Sequence, residues 1–227
     1  MTKKDVLRKL KDLANLKAVE GMAKFGITSK KIYGVSIPNL RKIAKEIGTN
    51  HQLALELWDE GIREARILAS MIDDPALVTE KQMEKWVKDF DSWEVCDQCC
   101  MNLFWQMPYV FEKAKEWTSR KEEFVKRAGF ALMAVLAWKD KEAKNKDFTK
   151  FFSVIKKESL DERNFVKKAV NWALRQIGKR NSYLNKKAIG LAKEIQKIDS
   201  KSARWIASDA IRELESEAIQ KKLRNLK

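Results

Sequence analysis

Apolar residues recur along this chain at intervals of three and four, the spacing of one face of an α-helix. The first such segment runs from Lys3 to Phe25, where apolar residues such as Val6 and Leu10 are separated by basic ones. No stretch alternates apolar and polar residues convincingly enough to predict a strand, and only 8 glycines and 3 prolines interrupt the chain. The pattern predicts an all-α protein, folded as a single domain spanning residues 1–227.

Capping and breaking residues predict where individual helices begin and end. Pro38 suits the first turn of a helix, Thr79 and Ser200 suit N-caps, and Asp161 is expected to cap a helix that runs from residue 162 to Gly178. The helices predicted in this way lie at residues 3–25, 38–48, 52–58, 63–72, 79–90, 91–105, 122–138 and 162–178, with others beginning near residues 108 and 201.

Four of the predicted helices start alike, with a basic residue before an apolar body. These basic residues are Arg66, Arg127, Lys168 and Arg204, and the helix that begins near Trp93 falls between the first two. Units of two helices at spacings of roughly 30 to 45 residues are typical of HEAT-like repeats. The pattern favours a HEAT-like helical-repeat solenoid with a basic concave face, with an irregular helical bundle as the alternative.

The net charge of the chain indicates what kind of molecule it binds. Lysine and arginine total 47 against 32 aspartate and glutamate, which gives a net charge of +15 and favours a polyanion such as nucleic acid. Lys168, Trp172, Arg175 and Lys179 fall on one face of a helix, because steps of three and four residues stay on one face. This face suits a phosphate backbone, although Trp172 could instead pack at a junction between repeats beside lysine stems.

The segment 91–105 carries the candidate chemistry. Read as a helix, it places Trp93, Asp97, Cys100 and Phe104 along one stripe, and Asp97 is the only acidic or basic residue from 95 to 105. A carboxylate on a largely buried helix costs several kcal/mol unless something compensates it. Asp97 therefore either accepts a hydrogen bond from a neighbouring helix or faces a ligand.

The cysteine and hydropathy patterns argue against a disulfide-rich, a zinc-binding or a membrane protein. Cys96, Cys99 and Cys100 cannot form a disulfide framework, and a zinc site is disfavoured because the single histidine, His51, is distant in sequence. We therefore expect neither a metal nor an organic cofactor. No apolar run approaches the ~20 residues that span a bilayer, so we expect a cytoplasmic protein without membrane contact. We also expect it to associate with the nucleoid.

Several of these segments together resemble the AlkD family of alkylpurine DNA glycosylases, helical-repeat enzymes that excise N-alkylated purines from duplex DNA. The similarity in layout covers nearly the whole chain. The segments that carry it are residues 34–41, the Trp93-x-x-x-Asp97 pair, Arg127 within 124–128, and residues 165–175 with Trp172.

The resemblance implies roles for individual residues. Asp97 would be the catalytic carboxylate, Trp93 and Trp172 would flank the deoxyribose of the damaged nucleotide, and Arg127 would contact phosphate. Lys168, Arg175, Lys179, Arg66 and Arg204 are the further cations that we expect to bind DNA. The chain departs from the family where members often contribute a tyrosine near the first helices, since residues 21–25 contain none and only Phe25 or Tyr33 could replace it.

The expected function is that of a monofunctional glycosylase, acting as a monomer on double-stranded DNA that contains N3- or N7-alkylated purines. A non-catalytic DNA-binding relative is one alternative. A HEAT-type protein-interaction scaffold is another, because a positive charge alone does not separate DNA from acidic proteins.

Overall fold

The computed structural model describes residues 1–225, which form fifteen α-helices and no β-strand. The all-α prediction is confirmed. Among the described helices, none combines the length and apolar character needed to cross a membrane. The chain divides into two compact units, residues 1–108 and 109–227, and the assignment of the whole chain to one domain stays a prediction.

The first unit is organised around α5, which packs against α1, α3, α4 and α7. Its core includes Trp58 and Trp86, whose rings stack in parallel with centroids 3.9 Å apart. A short 3₁₀ helix, Phe104–Gln106, follows α7. The helices are α1 (Lys3–Asp12), α2 (Leu16–Lys24), α3 (Ile37–Ile47), α4 (His51–Asp59), α5 (Arg63–Ile72), α6 (Glu80–Lys88) and α7 (Trp93–Asn102).

The single opening helix predicted from residue 3 to residue 25 is wrong. The chain breaks between α1 and α2, where the side chain of Asn15 caps α2 by accepting from the backbone N–H of Ala18 at 3.0 Å. The Asn15 backbone N–H donates to the carbonyl of Tyr33 at 2.7 Å. The next residue, Gly34, has a positive φ of 78°, and a Cβ there would lie 2.3 Å from the Asn15 carbonyl oxygen. A contact distant in sequence therefore sets the break.

The second unit is organised around α9 and α12, which pack against each other. α9 also packs against α8, at Gly129, where an added Cβ would meet the carbonyl of Ala114 at 2.7 Å. The helices are α8 (Val110–Trp117), α9 (Glu123–Lys139), α10 (Asn145–Thr149), α11 (Phe152–Glu158), α12 (Asn164–Gly178), α13 (Ser182–Gln196), α14 (Lys201–Leu214) and α15 (Glu217–Arg224).

Two further boundaries differ from the predictions. α12 begins at Asn164 and not at residue 162, because Asp161 binds the Arg163 guanidinium and backbone N–H, the latter at 3.1 Å, instead of capping a helix. The helix predicted at 91–105 ends at Asn102, so Phe104 lies in the 3₁₀ helix and outside the predicted stripe.

Candidate functional site

α7 positions the candidate catalytic groups of the first unit. The helix begins at Trp93 because the Ser92 hydroxyl caps it by accepting from the backbone N–H of Val95 at 3.4 Å. Trp93 and Asp97 lie one turn apart, so they share a face of the helix. Asp97 is only 8% exposed. The unit therefore holds a carboxylate in a largely buried position beside an aromatic residue.

A buried ion network fixes the first turn of α7. Arg63 donates to Glu94 through Nε at 2.9 Å and to the neighbouring Glu64 through Nη1 at 2.8 Å. The side chains of Arg63 and Glu64 are fully buried. Glu64 also accepts from the backbone N–H groups of Gly34 at 2.8 Å and Val35 at 3.2 Å. The network joins α5, α7 and the loop before α3, and its bonds to Glu94 anchor the residue that follows Trp93.

The segment after α2 reaches Trp93 directly. The Trp93 indole N–H donates to the carbonyl of Phe25 at 2.9 Å, and Phe25 is 74% exposed. Tyr33, the other aromatic residue proposed for the missing tyrosine, is held through its backbone N–H, which donates to Glu64 at 3.0 Å. Of the two, Phe25 is the one whose backbone is bonded to the candidate site.

The three cysteines lie in the core of α7. Cys96, Cys99 and Cys100 are buried and form no disulfide, and burial raises the pKa of the Cys99 thiol well above its ordinary value. Within residues 1–225 no cluster of three or more histidine, cysteine or acidic side chains is arranged to hold a metal ion. These side chains pack as small apolar residues would.

The basic stripe of the second unit lies on α12, and its members differ in exposure. Lys168 is exposed, whereas Trp172 is half-buried. The Gln176 side-chain oxygen, oriented toward them, accepts from Trp172 Nε1 and from Lys179 Nζ, both at 3.2 Å. Trp172 is therefore fixed by a hydrogen bond within its own helix, one turn further along.

Arg175 and Lys179 are paired inside the unit. Both donate to Glu213 of α14, Lys179 at 2.6 Å. Burial raises the pKa of Glu213, but the hydrogen bonds from Lys179 and Arg175 outweigh it, and the net pKa lies below the ordinary glutamate value. Glu213 thus offsets part of the positive charge that the sequence places on this stripe.

The four repeat-related cations occupy equivalent places, at the fourth or fifth residue of α5, α9, α12 and α14. Their surroundings differ. Arg127 is 6% exposed and donates to the carbonyl of Phe165 at 2.6 Å. Arg66 donates to the carbonyl of Asp89 at 2.7 Å, and Arg204 pairs with exposed Asp199 at 2.8 Å. Lys168 and Arg204 are exposed, while the other two serve partly as internal braces.

Two tryptophans of the second unit lie outside the set that the sequence singled out. Trp138 and Trp205 are 42% and 41% exposed, and a lysine ammonium lies over each ring, Lys139 at 5.4 Å and Lys167 at 5.3 Å. The sequence signal was available, because both tryptophans directly adjoin basic residues near a helix end.

The described residues define a helical-repeat protein with a buried carboxylate in one unit and a basic, aromatic helix face in the other. The chain belongs to the family of DNA alkylation repair enzymes, whose model matches residues 6–214. The resemblance drawn from the sequence segments is thereby confirmed at the level of the family.

A solved structure and a curated relative extend the comparison. The structure is described as that of a new family of proteins related to the HEAT-like repeat DNA glycosylases, with affinity for branched DNA structures. It superposes on this chain with a TM-score of 0.78 and 21% sequence identity, over 94% of this chain and 95% of its own. This likeness confirms the HEAT-like repeat fold. The uncharacterized protein Lin0241 of Listeria innocua is 25% identical over 174 residues, 75% of each chain.

Proposed function

We propose that this protein is a monofunctional DNA glycosylase that releases N3- and N7-alkylated purines from double-stranded DNA. The observation that carries the proposal is Asp97, a carboxylate held at 8% exposure one turn after Trp93 in a member of the DNA alkylation repair family. A fixed carboxylate with little access to water interacts more strongly with a developing positive charge than an exposed one does.

Excision of an alkylated purine requires a negatively charged group near the sugar but no general acid. Alkylation at N3 of adenine or N7 of guanine makes the base cationic, so it leaves without being protonated. As the glycosidic bond breaks, positive charge develops on the deoxyribose, as in the oxocarbenium-like states of glycoside hydrolysis. In the proposed role, Asp97 stabilises this charge and orients the water that attacks the sugar carbon. The products are a free base and an abasic site.

The tryptophans contribute to the same stabilisation. The face of an aromatic ring attracts a cation by about 0.5 to 2 kcal/mol. Trp93 and Trp172 keep the role that the resemblance implies, that of presenting aromatic faces to the sugar. The hydrogen bonds from Trp93 to Phe25 and from Trp172 to Gln176 fix the two indoles, which lowers the cost of ordering them when DNA binds.

Contacts to phosphate supply the affinity in this proposal. Lys168 and Arg204 contribute most, with smaller contributions from Arg127, Arg66, Arg175 and Lys179, which bind acceptors within the protein. Binding to the phosphate backbone displaces counterions, so it weakens steeply with salt. The protein is proposed to act as a monomer, with the DNA as its partner.

The test is release of 7-methylguanine and 3-methyladenine from methylated duplex DNA by wild type, Asp97→Asn and a control, Asp59→Asn, with DNA affinity measured for all three. Asp59 lies on the surface and pairs with Lys85, so its variant controls for the loss of one carboxylate. We expect release by wild type and Asp59→Asn, and DNA binding without release by Asp97→Asn. Release by Asp97→Asn at the wild-type rate would contradict the assignment.

A second candidate function is DNA binding without base excision, directed at branched DNA. It is favoured by the affinity for branched structures described for the protein with the same fold. Wild type that bound a four-way junction more tightly than a duplex of equal length, yet released no alkylated base, would select this candidate.

A further inference from the structure

A cavity of about 630 Å³ opens at the C-terminal ends of α9 and α12 in the second unit, beside α15. Its wall includes Trp138 of α9, Gln176 of α12 and Lys222 of α15. Cavities of about 300 to 1,000 Å³ are the size of ordinary small-molecule sites. Of the residues that line it, only Lys179 has a role among those predicted from the sequence.

The lining is basic. Lys141, Lys179, Arg180 and Lys222 face the cavity, and no acidic side chain is among the described residues that line it. Two of these cations are engaged elsewhere. Lys179 donates to Glu213 at 2.6 Å, and the Arg180 guanidinium donates to backbone carbonyls at the end of α9 and just beyond it, including Ala137 at 3.0 Å. Lys141 and Lys222 are exposed, and within residues 1–225 neither has an ion pair.

Trp138 adds an aromatic surface to the same wall. Its side chain is 42% exposed although its helix is otherwise almost entirely buried. The Lys139 ammonium lies 5.4 Å from the centroid of this ring, and Lys141 and Lys222 line the same cavity. An exposed indole beside such cations matches the way in which proteins bind single-stranded nucleic acid, with bases stacked on aromatic rings and phosphates held by cations. A paired base in a duplex offers only its edges in the grooves, so its face can reach Trp138 only where the strand is unpaired.

The cavity is connected to the candidate site through α12. Gln176 lines the cavity, and its side-chain oxygen accepts from Trp172 Nε1 at 3.2 Å. The basic stripe that begins at Lys168 and passes Trp172 therefore ends at the cavity wall, where Lys179 lies. A strand that follows this stripe reaches the cavity about two turns of helix after Trp172.

We propose that this cavity binds an unpaired nucleotide of a DNA strand, with the base stacked on Trp138 and the phosphate held by Lys141 and Lys222. The site directs the protein to duplexes that adjoin a single-stranded segment, such as a tail or the open centre of a branch. The inference rests on the proposed function only in that the protein binds DNA, and it does not depend on base excision.

The experiment compares affinity for a blunt duplex with affinity for the same duplex carrying a single-stranded tail of about ten thymidines, measured by fluorescence anisotropy. We expect wild type to prefer the tailed duplex by about tenfold, in line with the strength of stacking between one base and an aromatic side chain. Trp138→Leu and the double variant Lys141→Gln/Lys222→Gln should both reduce this preference to about twofold or less, and both should bind the blunt duplex as wild type does.

The control is Lys186→Gln/Lys187→Gln, which removes two exposed lysines of α13 that do not line the cavity. It loses the same charge and should keep the tenfold preference. Thermal unfolding of each variant shows that the fold is retained, and the lysine pair tests the site independently of Trp138.

Three results would overturn the proposal: wild type without a preference for the tail, a preference that survives in Trp138→Leu, or an equal loss in the control. Tighter binding of an oligoglutamate peptide than of the tail, lost in Trp138→Leu, would assign the cavity to an acidic protein instead. Base release from the blunt methylated duplex separates the two proposals, because the cavity variants should retain it. Wild type that preferred the tail but released no base would contradict the glycosylase proposal alone.

Discussion

The polar groups around α7 and those along α12 are held in opposite ways. Around α7, the buried Arg63 donates to the buried Glu64 and to the half-buried Glu94, and Glu64 accepts from the backbone of the loop before α3. Along α12, the cations lie at or near the surface, and they range from Lys168, which is exposed, to Lys179, which is paired with Glu213. The first arrangement keeps groups in place, as chemistry at one atom requires. The second presents charge to solvent, as binding to a polyanion requires.

The largest effect is expected from breaking the buried network. Arg63→Met leaves Glu64 and Glu94 without their cation, and removing one partner of a buried ion pair costs about 3 to 5 kcal/mol. We expect the free energy of unfolding, measured with denaturant, to fall by that amount.

Lys85→Met is the matched change on the surface, because Lys85 pairs with Asp59 while both side chains are more than half exposed. Exposed ion pairs contribute little, so the unfolding midpoint should hardly move. Equal losses in the two variants would show that the network around α7 is no more important for the fold than a surface pair.

The next effect concerns the two indoles of the candidate site. Trp93→Leu and Trp172→Leu each remove an aromatic face, and a cation–π contribution of about 0.5 to 2 kcal/mol corresponds to a fall of about 2- to 30-fold in the single-turnover rate of base release. Trp205→Leu, which removes an exposed tryptophan of α14 that has no role in the proposed mechanism, provides the control and should leave the rate unchanged. A rate that is insensitive to Trp93 and Trp172 would remove them from the proposed mechanism.

A smaller effect on the salt dependence of DNA binding should distinguish exposed Lys168 from Lys179, which is paired with Glu213. Lys168→Gln should reduce the slope of log affinity for duplex DNA against log salt by about one, because one phosphate contact is lost. Lys179→Gln should reduce it less, since Glu213 already offsets the charge of Lys179. Equal changes in the two slopes would show that pairing with Glu213 does not withhold this cation from DNA.

The smallest effect concerns the pH dependence contributed by Glu213. Its pKa is lowered in the folded protein, because hydrogen bonds from Lys179 and Arg175 outweigh the effect of burial. A carboxyl group whose folded pKa is depressed stabilises the fold above its unfolded pKa, and this stability disappears as the pH falls through the folded pKa. Glu213→Gln should therefore lower stability near neutral pH by about 1 kcal/mol, and the difference from wild type should shrink below about pH 4. A difference that stays constant from pH 7 to pH 3 would contradict this origin.

Local sequence signals predicted much of the fold, because helix periodicity and caps are local. Pro38, Thr79 and Ser200 mark helix starts as predicted, and α5 lies at residues 63–72 as expected. The predicted helix over residues 3–25 was wrong because a contact distant in sequence sets the break, where the Asn15 backbone N–H donates to the Tyr33 carbonyl. α13 was missed although Asn181 caps it by accepting from Leu184 at 2.9 Å.

In the candidate site, distant contacts likewise decide which basic side chains are paired. The repeat pattern identified Arg66, Arg127, Lys168 and Arg204 as equivalent, and the structure places them at equivalent helix positions. Their partners could not be predicted from helix periodicity, because the Phe165 carbonyl that accepts from Arg127 and the Asp89 carbonyl that accepts from Arg66 belong to other parts of the chain. The equivalent positions were therefore predictable, while the division into braced and exposed cations was not.

The central claim is that Asp97 stabilises positive charge on the deoxyribose. The most direct measurement compares affinity for duplexes that carry, at one position, either a cationic pyrrolidine or a neutral tetrahydrofuran analogue of the sugar. Because an enzyme binds the charge of its transition state more tightly than a neutral mimic, wild type should favour the cationic analogue by about tenfold or more. Asp97→Asn should lose that preference while binding the neutral duplex as wild type does. An equal preference in both proteins would contradict the claim.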